Sequence, residues 1–361
     1  MINLIIETLQ YTEDDLKSVQ KVAKTYPIVS TKFPDGTSQV WKLPQEAIDD
    51  IGDACSLTID WRFKEERELF DLLSLWALIA EEIKGLFAKG DQVVNMQTKK
   101  SSLFKDYSAP YPIYLKIPYF PFARQDKEIS NGCTFNLAVF FQMLNVMEKF
   151  PLISKATHDF YKPLTVKVKC FDIHSRALKE LNKTEFDTFN DYTNIQTNEK
   201  FSDSVDTTFT DFVCLQADWQ AIILPDTSAM SRYYVHNGRI PFFAFSKFRN
   251  CETGEILNME LQSSFSTFLN SSVEFGSEHK NVLIVDDICD GGATFIKCAE
   301  ILKKANPNIE RLGLRVSHGI FSKGLKPLKD AGYTDIFYTD SLDPSFDKEI
   351  PEGLNVVKFK L

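Results

Sequence analysis

The sequence predicts an α/β protein of two domains around a parallel sheet. Three observations predict it. The chain has 361 residues, and domains commonly take about 100–200. Short apolar runs alternate with amphipathic stretches along its length. One passage, Asn281–Glu300, reads as an apolar strand, a tight loop with paired carboxylates and paired glycines, and then a helix.

The elements follow in order. Met1–Glu7 has no positively charged start and no cleavage site, so it is expected to be a first strand rather than a signal peptide. The apolar runs Leu57–Ile59, Ile113–Ile117, Val166–Phe171, Ala221–Leu224 and Val282–Val285 are expected to be buried strands, with Asn355–Leu361 strand-like at the end. Leu69–Leu86, Asn136–Glu148 and Thr294–Ala305 carry apolar positions at helical spacing. Asn182–Phe212 has the weakest periodicity and is expected to connect two halves.

Composition narrows the function. The net charge is −9, and no basic stripe appears, so nucleic acid is not an expected partner. An acidic protein still binds phosphate where the site is local and a divalent metal helps. No apolar run approaches the length of a membrane span. Seven cysteines are scattered without any Cys-x-x-Cys pair, which predicts reduced, mostly buried thiols and a cytoplasmic setting. Thirty phenylalanines are spread along the chain and are expected to pack cores and interfaces.

The passage after Val285 carries the most chemistry. Asp286 and Asp287 end the expected strand, and Asp290-Gly291-Gly292-Ala293-Thr294 leads into a helix. Small residues let the backbone approach a phosphate closely. The N–H groups at the helix start and the helix dipole favour an anion. Thr294 adds a hydroxyl donor, and the two carboxylates suit ribose hydroxyls. The loop lies after a strand, where open α/β sheets bind ligands. No Gly-Lys-Ser/Thr follows, so it is not a Walker loop. The string resembles the PRPP-binding loop shared by type I phosphoribosyltransferases and PRPP synthetases.

Four further segments lie in the order found in PRPP synthetases (ribose-phosphate pyrophosphokinases). Lys32-Phe-Pro-Asp-Gly36 resembles that family's adenine loop, which implies that Phe33 stacks on the base and Asp35 accepts from its amino group. The family's glutamate position holds Thr37. Ile117-Pro-Tyr-Phe-Pro-Phe-Ala-Arg-Gln-Asp126 resembles a nucleotide-binding stretch, implying that Arg124 binds ATP phosphate and that Gln125 and Asp126 shape the site. Cys170-Phe-Asp-Ile-His174 resembles a strand end whose histidine helps to hold Mg²⁺, here His174. Phe243-Ala-Phe-Ser-Lys-Phe-Arg249 resembles the Lys-x-Arg of the family's flexible catalytic loop, implying that Lys247 and Arg249 stabilise charge in the transition state. Leu224-Pro-Asp226 resembles a further segment in which Asp226 meets metal or ribose. Val316–Phe321 resembles a segment that makes His318 structural.

The resemblance implies two type I phosphoribosyltransferase-like domains, each with a mostly parallel central sheet flanked by helices. They are expected at residues 1–182 and 183–349, with 350–361 free to return to the first domain as a C-terminal strand. It also implies an ATP-dependent ribose-phosphate diphosphokinase, with ATP as substrate and Mg²⁺ as cofactor. The expected assembly is a homo-oligomer, at least a dimer. Ribose-5-phosphate is the default acceptor. Gly291 lacks the side chain common there in the family, and Ser228-Ala229 replaces a glycine pair. Both changes keep ADP-ribose, and a role in NAD rebuilding, as the alternative. Remoter readings are a catalytically silent regulatory relative and a phosphoribosyltransferase acting on a base.

Overall fold

The computed structural model describes residues 1–11, 19–52, 54–88, 112–125, 134–149, 165–172, 174, 218–229, 233, 240–249, 256–262, 264–266 and 271–361. The chain forms two compact units, Met1–Ile195 and Gln196–Leu361. The expected connection Asn182–Phe212 lies outside the described residues.

The first unit contains strands β1 (Ile2–Tyr11), β2 (Val19–Pro27), β3 (Thr31–Lys32), β4 (Ser38–Gln39), β5 (Ala54–Trp61), β6 (Pro112–Lys116) and β7 (Thr165–Lys169). Its described helices are α1 (Gln45–Gly52), α2 (Glu68–Ala88) and α3 (Asn136–Lys149). The main sheet runs β2-β1-β5-β6-β7. It is mixed: β1 is antiparallel to both β2 and β5, whereas β5, β6 and β7 are parallel. Alternation drives β1, since Ile2, Leu4 and Ile6 are buried while Asn3 and Ile5 are less so. These side chains share a core with Leu57, Ile59 and Trp61 of β5 and with Leu72, Leu75, Trp76 and Ile79 of α2. Each aliphatic side chain buried this way contributes about 1.5–3 kcal/mol relative to exposure.

The second unit contains β8 (Ala221–Leu224), β9 (Phe242–Arg249), β10 (Ile256–Leu261), β11 (Ser264–Ser266), β12 (Ser271–Val273), β13 (Asn281–Cys289), β14 (Arg311–Gly319), β15 (Asp335–Thr339) and β16 (Asn355–Phe359). Helices α4 (Ala293–Ala305) and α5 (Lys326–Ala331) follow β13 and β14. The sheet order is β10-β9-β8-β13-β14-β15-β16. All neighbours are parallel except the β9–β10 pair. Val282–Val285 is a continuous buried run, as a strand covered on both faces requires. Phe295, Cys298, Ala299 and Leu302 form the buried face of α4, at the spacing of one helical stripe. Gly313 of β14 is required by packing. A Cβ there would stand 2.6 Å from the Trp219 ring and 2.9 Å from Leu283.

Two expectations change. The strand Asn355–Phe359 does not return to the first unit; it pairs in parallel with β15 from Asp335↔Asn355 to Thr339↔Phe359. The Asn355 side chain donates to Asp335 at 2.8 Å, and Arg311 grips the same carboxylate through two bonds of 2.8 Å. That shared anchor ties β14, β15 and β16 into one sheet. Strand β13 also runs on past Val285 to Cys289, so Asp286 and Asp287 lie within it.

Among the described cysteines, Cys170, Cys289 and Cys298 are buried thiols. No described helix is long and apolar enough to cross a membrane.

Candidate functional site

In the second unit the expected ligand residues gather at the carboxyl edge of the parallel strands. β13 ends at Cys289, and Asp290-Gly291-Gly292 turns the chain into α4. Gly292 sits at the helix N-cap with φ 78, a left-handed conformation that glycine adopts without a Cβ clash. A Cβ on it would also press on Leu328 at 3.3 Å. Glycine has no side chain to cap the first N–H groups of α4, so that end of the helix suits an anion. Thr294 is half-buried in the first turn, and Ala293 is exposed beside it.

The two carboxylates separate. Successive strand residues face opposite sides, and Asp286 is half-buried whereas Asp287 is 1% exposed. The Asp286 carboxylate accepts from the Asp287 N–H at 3.0 Å, and its carbonyl accepts from the buried Arg315 guanidinium at 3.0 Å. Beneath the loop, burial pushes the Cys289 thiol well up, and the charges of Asp286 and Asp290 add to that. This keeps it a thiol rather than a nucleophile.

Asp226 follows β8 on a bend and accepts from the Ala229 N–H at 3.0 Å. Because β8 runs parallel to β13, with Ile223 opposite Ile284, Asp226 stands at the same edge as the loop. Lys247 and Arg249 lie three and five residues beyond Ala244, which is level with Leu224 at the end of β8. They too reach this edge. They stand on strand β9 rather than in a loop, opposite Met259 and Ile256. The cause is the alternating Phe243 and Phe245, both buried in the core, which draws the segment into the sheet. The side chains of Lys247 and Arg249 lie outside the described set.

The first unit repeats this arrangement. Arg124 and Gln125 follow β6, and His174 follows β7 as an exposed residue on a bend, so all three lie past the carboxyl ends of parallel strands. Phe122 takes φ 62, and the Gln125 N–H closes the turn on its carbonyl at 2.8 Å, leaving Arg124 exposed. Gln125 is engaged with the start of α3. Its carbonyl accepts from the Leu137 N–H at 3.2 Å, and its side-chain oxygen accepts from Asn136. Asp126 lies outside the described residues.

Phe33 and Asp35 share the turn between β3 and β4. Phe33 is partly exposed and meets the exposed Trp41 edge-on, with ring centroids 6.1 Å apart. The Asp35 carboxylate accepts from the Thr37 N–H at 3.0 Å and from its hydroxyl at 2.7 Å. These two donors, the backbone one first, hold its carboxyl below the ordinary range. Thr37, standing where the resemblance expects glutamate, thus orients Asp35. The hairpin is tied to the first turn of α2, where Asp71 accepts from Ser30 at 2.9 Å and also from Ser38. That turn follows β5, which places Phe33 and Asp35 at the carboxyl edge as well.

His318 is buried, with Nδ1 2.8 Å from the Ser341 hydroxyl, a position that suits packing. Sequence reasoning passed over the turn at Phe321–Gly324, whose Ser322 and Lys323 border Gly291. No sequence signal marked it, because the contact joins β14's exit to β13's. The room left by Gly291 is therefore bounded by the Lys323 stem.

Among the described residues no group of three or more His, Cys, Asp or Glu side chains is gathered as a metal cage. Mg²⁺ carried on phosphates needs only one or two protein carboxylates. Asp226 is a half-buried carboxylate of the type such an ion uses.

Comparison with known proteins agrees with this geometry. Residues 241–339 match the phosphoribosyl transferase domain, and that span includes β9, the loop and α4. The class is therefore that of phosphoribosyl transferase folds. Two curated relatives are each named ribose-phosphate pyrophosphokinase. That of Mycoplasmopsis pulmonis is 42% identical over 66 residues, covering 18% of this chain and 20% of the relative. That of Pyrococcus furiosus is 35% identical over 80 residues, covering 22% and 28%. The matched stretches thus span less than a third of those relatives' length. The crystal structure of phosphoribosylpyrophosphate synthetase from Mycobacterium smegmatis shares the fold. Its TM-score is 0.53 at 14% identity, over 92% of this chain and 86% of that one. The two segment matches are thus to ribose-phosphate pyrophosphokinases (PRPP synthetases), and the solved structure shows a shared fold.

Proposed function

We propose that this protein transfers the β,γ-diphosphate of ATP to the anomeric hydroxyl of ribose-5-phosphate, giving PRPP and AMP. The observation that carries the proposal is the Asp286–Thr294 passage. It joins a half-buried carboxylate for ribose hydroxyls to a glycine turn and helix start for the 5-phosphate, at the carboxyl edge of a parallel sheet. The curated relatives' names favour the pyrophosphokinase over a base-modifying transferase.

In this reading the loop holds the sugar phosphate. The 1-hydroxyl attacks the β-phosphorus in line. A new P–O bond forms as the hydroxyl loses its proton, and the bond to the oxygen bridging the α-phosphate breaks, releasing AMP. Positioning and charge stabilisation supply most of the rate in such transfers. Phe33 and Asp35 would take the adenine, Arg124 the ATP phosphates, and Lys247 with Arg249 the charge growing on the transferred group. Mg²⁺ would neutralise phosphate oxygens, with His174 of the first unit or Asp226 of the second as its proposed protein ligand.

Release of AMP from Mg-ATP, measured separately with ribose-5-phosphate and with ADP-ribose, tests the proposal. AMP with ribose-5-phosphate is the expected result. AMP with ADP-ribose alone would move the acceptor to that nucleotide, and AMP with neither would remove the kinase reading.

A further inference from the structure

The segment that leaves β14 is stitched to the strand that carries the phosphate loop. The N–H groups of Ile320 and Phe321 both donate to the Cys289 carbonyl, at 2.9 and 3.1 Å. Phe321 takes φ 45 and Gly324 φ 74, and the Gly324 N–H closes on the Phe321 carbonyl at 2.8 Å. This tight turn presents Ser322 and Lys323, both exposed. A Cβ on Gly291 would stand 3.5 Å from Cε of Lys323, 3.6 Å from its Cδ and 3.7 Å from the Ser322 hydroxyl. The lysine stem therefore lies along Gly291, with its ammonium one bond further on.

Two facts recommend this lysine. Its side chain makes no hydrogen bond or ion pair with the described residues, which it shares with Lys304 and Lys348, but it alone of these borders Gly291. The passage it borders is also short of positive charge. Asp286, Asp287 and Asp290 precede Gly291, and Asp290–Thr294 contains no cation. A phosphate entering there meets helix N–H groups but also the charge of neighbouring carboxylates. An ammonium on a four-carbon stem is a compact charge suited to such an anion.

We propose that Lys323 is the cationic phosphate contact of the Asp290–Thr294 loop, supplying across Gly291 the donor that a glycine lacks. The proposal rests on the reading that this loop holds the acceptor's 5-phosphate. Ribose-5-phosphate and ADP-ribose share that chemistry, a phosphate on C5 of ribose. The first presents a terminal phosphate that approaches two charges at neutral pH, and the second a bridging one with a single charge. A point charge at position 323 favours the first.

The test is calorimetric titration of each sugar phosphate into the full chain, wild type and Lys323→Met, with Lys323→Arg as the conservative variant. The side chain is exposed, so an unchanged Tm is expected. Lys323→Met should bind ribose-5-phosphate about tenfold more weakly, as loss of one charge-assisted contact implies. The loss for ADP-ribose should be smaller, and Lys323→Arg should keep most of the affinity. Unchanged affinity of Lys323→Met for both ligands overturns the proposal, as does a wild type that binds neither. A protein that binds ribose-5-phosphate through Lys323 but releases no AMP would refute the kinase reading and leave this contact standing.

Discussion

The two units build the carboxyl edges of their sheets differently. In the second, one contiguous stretch from Asn281 to Ala305 supplies strand, carboxylates, glycine turn and helix start. In the first, the corresponding edge is assembled from separate pieces. The Phe33–Gly36 turn, the Arg124–Gln125 turn and the bend at His174 come from three parts of the chain. They share an edge because β5, β6 and β7 are parallel and because Asp71 ties the hairpin to α2. Locally encoded geometry can be recognised as a string. Assembled geometry depends on the sheet that brings the pieces together. The family domain match accordingly falls on residues 241–339.

The largest expected effect probes the charge at the second unit's edge. Lys247→Ala should lower kcat for AMP release about a hundred- to a thousandfold and move KM for ATP far less, because the proposed contact strengthens in the transition state. Steady-state kinetics with an unchanged kcat would remove Lys247 from the mechanism.

Next is the opposite edge of the same sheet, where stability and ligand binding should separate. Asp335→Ala breaks the Arg311 fork at the start of β14 and β15 and should cost about 2–3 kcal/mol in urea unfolding. KM for either substrate should stay the same. The pair also sets a pH dependence. Burial pushes the Asp335 carboxyl up, but hydrogen bonds from Arg311, Asn355 and Thr334 outweigh it and hold the group below its ordinary value. The ionised form is therefore the one folding favours. Its contribution is whole above that ordinary value and is lost as pH falls through the lowered one. Melting curves of Asp335→Asn should accordingly lie nearest the wild type's at the acid end.

Gly292→Ala joins both readouts. Forcing a Cβ into a left-handed position costs about 1–2 kcal/mol, and the new methyl meets Leu328. Stability and ribose-5-phosphate affinity should fall together. A variant that melts lower yet binds as before would separate the turn from the phosphate.

The smallest effect lies in the first unit. Phe33→Ala should raise KM for ATP about fivefold, at the low end of what one base-aromatic stack contributes. Tm should hold, since the ring is partly exposed. A fluorescence titration of the neighbouring Trp41 with ATP gives an independent readout, and no signal change would count against the adenine assignment.

Much of the frame was legible before the fold. The apolar run Val282–Val285, the stripe of α4 and the runs around Leu57, Ile113 and Val166 announce strands and helices through period and burial alone. β1 was expected from Met1–Glu7, but its hairpin partner β2 was not legible, and neither were β14 and β15. Polar residues such as Lys21, Lys24, Arg315, Ser317 and His318 interrupt those strands, and their pairing comes from distant partners.

The sequence by itself determined the class of fold and the Asp290–Thr294 turn, because a glycine turn between a buried strand and a helix is a local requirement of the backbone. Only the tertiary structure decided the rest. Strand period placed Asp286 and Asp287 on opposite faces, and two buried phenylalanines drew Lys247 into a strand. The Asp335 anchor kept β16 in the second sheet. Two N–H groups on the Cys289 carbonyl brought Lys323 to Gly291, 32 residues away along the chain. Each of these depends on a contact between segments far apart in sequence, which no local pattern encodes.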